Sequence, residues 1–345
     1  MSEMVSTTRR DSTGSRPAAP SSITPLPPAG RVLAPVLLAV TVSLLAAACT
    51  STGAISNAAK YLSHIRHAGA ATIAGSTAGV ALQVSIGGSG TLPIDQGEID
   101  LAHGLTSIAA VAKPPGSSTP ATIRGVDTPT VIYQELLSNY APKGLKQPLP
   151  ALLGGKTWEQ LTSTLGSSGI QGNAQYFNSE IYNPFWLLST LGGASAPVKD
   201  LGSSTVGTVS ATHYSFRVNL QAAAASSQAV KAGLGPIMSD EAAFLGVATF
   251  PAQVWLDNQG RVVQLFVTLT FPSSKYETAV KTRPAATVEL ILSGYGSPIS
   301  PISVPPASSV ATAQQVNQVE AAAQSATPPS TTSSSSPSPG TGSGG

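Results

Sequence analysis

The sequence predicts an α+β fold, a long, curved antiparallel sheet with a few helices against one face. Three observations predict it. Apolar and polar residues alternate over several separate stretches, the period of half-buried strands. The turn Asp257-Asn258-Gln259-Gly260 stands between two of these stretches, as the glycine-containing loop of a hairpin does. Only a few segments carry helical patterning, so they have one apolar sheet face to cover.

Taken in order, Ala58 to His67 reads as a modest amphipathic helix, with Ala58, Leu62 and Ile65 on one side. Val80, Leu82, Val84 and Ile86 then alternate with small or polar residues, as do Ile99 and Leu101. These are strands, and Gly87-Gly88-Ser89-Gly90 is the flexible loop of a hairpin. Asn183-Pro184-Phe185-Trp186-Leu187-Leu188-Ser189-Thr190-Leu191 has a capping asparagine, a first-turn proline and a stop at Gly192, which predicts a short apolar helix. Tyr214, Phe216, Val218 and Leu220 share one face of a strand whose other face carries His213, Ser215, Arg217 and Asn219. The alanine-rich stretch from Leu220 to Leu234, and then Asp240 to Leu245, predicts helix. Val254 and Leu256 enter the Asp257 turn, and Val263, Leu265, Val267, Leu269 and Phe271 return from it. Val288, Leu290 and Leu292 add a last strand.

The two ends have a different character. The run Val32 to Ala48 has no charge, follows Arg9, Arg10, Arg16 and Arg31, and ends in three alanines before Cys49. This is the layout of an export signal. Leu45-Ala46-Ala47-Ala48-Cys49 resembles a bacterial lipobox, with Ala46 where leucine is usual, so Cys49 is the expected site of lipid attachment. An uncleaved single-span anchor and a buried core cysteine are the competing readings. Lipidation and the anchor both put the remainder at the extracytoplasmic face of the cell membrane. Residues 1–48 are thus expected to be a signal peptide, 49–57 a tether and 58–310 one domain, with 311–345 a disordered tail rich in serine, threonine, proline and glycine.

Composition excludes several classes. The 18 basic and 16 acidic residues fall to fourteen of each once the four arginines, Glu3 and Asp11 leave with the leader. No basic stripe remains to neutralise a phosphate backbone, so nucleic acid is not an expected partner. A single cysteine allows neither an internal disulfide nor a thiolate metal cluster. His64 and His67 lie three apart on the first helix without a third ligand at suitable spacing, and His213 reads as a surface or hydrogen-bonded residue, so no metal is expected. No Gly-x-Ser-x-Gly elbow occurs, and the glycine-rich loop lacks the lysine and helix start of a phosphate loop. Glu98 with Asp100 reads as a solvated strand face, and Asp240 with Glu241 as a helix amino end. No catalytic constellation or cofactor is expected, and the chain is not read as an enzyme.

The apolar cluster Phe185, Trp186, Leu187 and Leu188 has two readings. It is ordinary core, or it lines a cavity for acyl chains, whose burial gains about 0.8 kcal/mol per CH2. In the second case the sheet face carrying Phe216, Val218, Leu265 and Val267 is the opposing wall, and the ligand-binding residues are these four with Phe185, Trp186 and Leu188.

Over about residues 58 to 310 the order of landmarks resembles the actinobacterial LppX/LprG-type lipoproteins. The landmarks are Val131-Ile132-Tyr133, Gly155-Lys156-Thr157-Trp158, Asn183-Pro184 with Leu187-Leu188, and Val198 to Val206. Thr212-His213-Tyr214 follows, then Pro251 to Asp257 with Gly260-Arg261-Val262, and Gly294-Tyr295-Gly296-Ser297-Pro298 running to Pro305-Pro306. Asn183 stands where aspartate is common in that group, and Gln134 to Leu153 looks like an insertion. The resemblance implies a half-barrel of antiparallel strands wrapped round helices, similar to the LolA-type lipoprotein carriers. It also implies binding or transport of a lipid or acylated glycolipid in a hydrophobic cavity of the cell envelope. A non-catalytic envelope module that recruits a protein partner on the same fold is the alternative.

Overall fold

Alternation of apolar and polar residues builds the described strands into a single sheet, seen in a computed structural model that describes residues 57–86, 90–91, 95–112, 119–138, 147–161, 183–270 and 285–325. Helix α1 spans 57–73. The first group of strands is β1 (Thr77–Ile86), β2 (Gly90–Thr91), β3 (Asp95–Asp100), β4 (Leu105–Ala112), β5 (Ala121–Asp127), β6 (Ile132–Glu135) and β7 (Trp158–Leu161), with α2 (Leu149–Leu152) before β7. Helix α3 (Pro184–Thr190) runs into a 3-10 turn, Leu191–Gly193, and then into the hairpin of β8 (Ala194–Val206) and β9 (Val209–Asn219). Three short helices follow, α4 (Leu220–Ala224), α5 (Ser227–Lys231) and α6 (Gly235–Leu245). The chain continues through β10 (Thr249–Leu256), β11 (Val262–Thr270), β12 (Ala285–Ser293), β13 (Val310–Thr312) and α7 (Ala313–Ser325).

All thirteen described strands join one sheet in the order β13-β7-β6-β5-β4-β3-β1-β12-β11-β10-β9-β8, with β2 paired to β1. Every pairing is antiparallel except β13 on β7. Among the described residues β8 and β13 are its edges, so the sheet is open. Edge strand β8 carries Pro197, Lys199 and two register shifts, features that discourage a further strand from pairing there.

The register explains which face is buried. Tyr214, Val254, Leu265, Leu290 and Leu82 stand directly opposite one another on successive strands, and Phe216, Ala252, Val267, Val288 and Val84 form the neighbouring row. All of them are 5% exposed or less. A one-residue slip would turn these rows to solvent, so the pattern itself fixes the pairing.

The helices close over this face. On α1, Ile65, Ala68 and Thr72 are buried at helical spacing. Thr72 Oγ1 donates to the Ala68 carbonyl and accepts from the Val262 amide at 2.8 Å, which ties α1 to the start of β11. Tyr295 adds to this corner by donating its hydroxyl to the Val262 carbonyl beneath the Arg261 guanidinium, 4.2 Å from the ring centre. The close α1–α3 crossing needs a glycine: a Cβ at Gly69 would lie 2.6 Å from the Leu188 carbonyl oxygen.

The expected strands, the Asp257 hairpin and the short apolar helix are present, except that Leu220 opens α4 instead of ending β9 and Phe271 lies outside the described residues, and α1 runs six residues beyond its predicted end at His67. Two expectations are corrected. Residues 311–325, assigned to a structureless tail, hold part of β13 and α7, because Ala311 and Val316 bury themselves against Leu136 and Leu149 in a second small core. Asp240 and Glu241 lie midway along α6 rather than at a helix amino end, since the Gly235-Pro236 pair starts that helix earlier. The signal, Cys49 and the tether to residue 56, Gly87 to Ser89, and the tail beyond 325 lie outside the described residues. No described helix is long and apolar enough to cross a membrane.

Candidate functional site

Helix α3 is built to be enclosed. Asn183 caps it by accepting from the Phe185 amide at 2.9 Å, Pro184 sets its first turn, and all seven of its residues are buried. Asn183 Nδ2 also donates to the Thr128 carbonyl at 2.7 Å, which pins the start of α3 beside the end of β5. A helix apolar on all sides belongs inside a protein.

The seven residues expected to bind ligand come together. Phe185, Trp186 and Leu188 on α3 and Phe216, Val218, Leu265 and Val267 on the sheet are each 2% exposed or less and belong to one continuous cluster. This arrangement is common to a packed core and to the wall of an enclosed apolar ligand site. Two polar atoms stand out on α3. Trp186 Nε1 and Ser189 Oγ are buried without a hydrogen-bond partner, although buried polar atoms are nearly always paired.

The other end of the same face holds residues the sequence reading passed over. Asp95, Thr106, Asp127, Gln134 and Glu159 lie on β3 to β7 and are all 6% exposed or less. Burial raises the Asp95 carboxyl to about 7. Burial raises Asp127 well above the usual carboxylate range, and the charge of Asp95 adds to the effect. Glu159 is raised to about 7 by burial and then by Glu320 of α7, itself raised by burial. Thr106 Oγ1, both Asp127 oxygens and Glu159 Oε1 have no hydrogen-bond partner. The signal was present in part, since an acid at a period-2 inward position is legible once β4 and β5 are recognised as strands.

The residues read as surface polar groups are accounted for locally. Asp100 holds His103 Nδ1 at 2.8 Å, and Glu98 accepts from the Ser300 amide. His213 hydrogen-bonds Gln253 at 2.9 Å and stacks on Trp255, with ring centres 3.8 Å apart. His67 Nδ1 lies 2.6 Å from the Ser63 carbonyl, and His64 meets the edge of Tyr214. Among the described residues no group of three or more His, Cys, Asp or Glu side chains is set to hold a metal ion.

Solved structures with a similar fold include the lipoprotein LppX and LprF. LppX from Mycobacterium tuberculosis is 13% identical, with a TM-score of 0.35 over 69% of this chain and 96% of its own. LprF from Mycobacterium bovis is 12% identical, with a TM-score of 0.36 over 72% of this chain and 96% of its own. Likeness at these values assigns neither a family nor a ligand. No family model matches the chain, and no curated protein matches it.

Proposed function

We propose that this protein is a membrane-tethered, extracytoplasmic lipoprotein that binds or carries a lipid between α3 and the apolar sheet face, without catalysis. The observation that carries the reading is the pair of unpartnered donors, Trp186 Nε1 and Ser189 Oγ, on a helix otherwise surrounded by hydrocarbon. Apolar ligand sites have this composition: extensive hydrocarbon walls and a few polar groups that fix orientation. An acylated lipid supplies chains for the walls and ester carbonyls for the donors. The tether rests on the Leu45 to Cys49 sequence, which puts the acyl anchor at the amino end of the exported part.

A second reading draws on the same cluster. Its seven proposed wall residues are almost wholly inaccessible, as in a solid core, which suits a non-catalytic envelope module recruiting a protein partner. Native mass spectrometry of the purified full chain after exposure to an envelope lipid extract separates the two. The carrier reading expects a lipid adduct retained through buffer exchange, whereas protein without adduct favours the module. For the tether, Cys49→Ser is expected to abolish incorporation of labelled palmitate, and unchanged labelling of that variant would overturn it.

A further inference from the structure

We propose that β13 and α7 form a detachable strap on the edge of β7, held in acid and released when Glu159 and Glu320 carry negative charge together. Release leaves β7 as the sheet edge and uncovers Leu136 and Leu149.

The strap is separable by its construction. Among the described strands β13 makes the one parallel pairing, is three residues long and has no strand beyond it. It is joined to β12 by Gly294 to Ser309, a connection outside the sheet that carries Pro298, Pro301, Pro305 and Pro306, so β13 and α7 can leave while β12 stays paired. Helix α7 carries its own start: the Thr312 amide donates to Gln315 Oε1 at 3.1 Å and the Gln315 amide to Thr312 Oγ1 at 3.2 Å, a reciprocal cap that needs nothing from the sheet. The apolar hold is the small core of Ala311 and Val316 with Leu136 and Leu149, apart from the main cluster under α3. Segments held by so little buried hydrocarbon open at low cost.

The two acids sit in this joint. Glu159 is 3% exposed, stands opposite Gln134 on β6 and Ala311 on β13, and leaves Oε1 without a partner. Glu320 is half-buried and is the one charged residue of α7. The elements packed around them bring no cation to either acid. Strand β13 and helix α2 carry no charged residue, and Lys156 donates to Gln315 Oε1 at 2.8 Å. Glu135 of β6 lies opposite Trp158 and faces Arg124 at 3.7 Å, while Asp127 stands one strand further away, opposite Ile132. Burial and then Glu320 raise Glu159 from 4.5 to about 7, and burial raises Glu320. Release returns both carboxyls to water and to their ordinary values. The hold is therefore complete below the ordinary value of 4.5 and is lost as pH rises through about 7.

The test is hydrogen exchange of the purified full chain at pH 5 and pH 8, each rate divided by that of an unstructured peptide at the same pH. Protection of residues 310–325 is expected to fall at least about tenfold from pH 5 to pH 8, the scale of one pKa unit, with a smaller change in β9 to β12. Glu159→Gln is expected to hold the strap at both pH values, and Glu320→Gln to show a smaller fall than wild type. Strap protection unchanged over this interval in wild type, a fall that Glu159→Gln leaves as it was, or an equal fall in β9 to β12 would each overturn the strap. If Glu159→Gln does not fold, Glu320→Gln decides, and a fall as large as that of wild type overturns it.

Discussion

On β1 and β9 to β12 every buried residue described is apolar or aromatic, whereas β3 to β7 place Asp95, Thr106, Asp127, Gln134 and Glu159 on the continuation of the same face. The change happens within a single row: Tyr214, Val254, Leu265, Leu290 and Leu82 are followed, on the next strand, by Asp95. One half returns the cost of ordering the chain through hydrocarbon burial, at about 25 cal/mol per Å2. The other half buries polar atoms, several of them unpaired, and each of those costs about 1–3 kcal/mol. Stability is therefore concentrated on the β9 to β12 side, while on the β3 to β7 side these costs offset part of the apolar burial.

The contrast can be broken first on its apolar side. Trp186→Ala is expected to cost about 3–5 kcal/mol in denaturant unfolding, the range for deleting a fully buried large aromatic. A loss below about 1 kcal/mol would mean that α3 is not held by the apolar half. Gly69→Ala tests the same packing by crowding, since its methyl must displace either α1 or the Leu188 carbonyl. An overpacked site of this kind is expected to lose about 1–3 kcal/mol. Thr72→Val should cost about 1–2 kcal/mol by leaving the Val262 amide unpaired.

The polar half answers to pH. Asp95 and Glu159 have folded values near 7 against ordinary values of 3.8 and 4.5. Below the ordinary values both states are protonated and stability is complete. Between there and about pH 7 the unfolded chain releases protons that the folded chain keeps, so stability falls as pH rises. Tm is expected to be lower at pH 8 than at pH 5, and the double variant Asp95→Asn, Glu159→Gln should flatten the profile. A Tm that rises over this interval in wild type would contradict burial of these acids. The smallest effect belongs to Thr106→Val, expected to leave the unliganded protein unchanged or more stable by up to about 1 kcal/mol, because the hydroxyl it removes has no partner. Destabilisation would assign that hydroxyl a structural bond.

The apolar half was also the half legible in sequence. Tyr214 to Leu220, the Asp257 hairpin and Val288 to Leu292 alternate cleanly because their outward neighbours are polar and their inward ones hydrocarbon. Strands β4 and β5, Leu-Thr-Ser-Ile-Ala-Ala-Val-Ala and Ala-Thr-Ile-Arg-Gly-Val-Asp, escape such reading: small residues and inward polar groups blur the period. The buried Thr106 and Asp127 were hidden for the same reason. Helix α7 was missed because its packing depends on few residues, chiefly Val316, in a segment whose composition otherwise matches its polar surroundings. Within the candidate site, the α3 cluster followed from composition alone, but the unpaired state of Trp186 Nε1 and Ser189 Oγ is a property of three-dimensional packing.

Hydrogen exchange of the full chain, with and without diacylglycerol, tests most directly whether the apolar half receives the lipid. Added protection is expected in α3, β9 and β11, which carry the proposed wall residues. No change in these three elements, or added protection confined to other strands, would contradict the carrier reading.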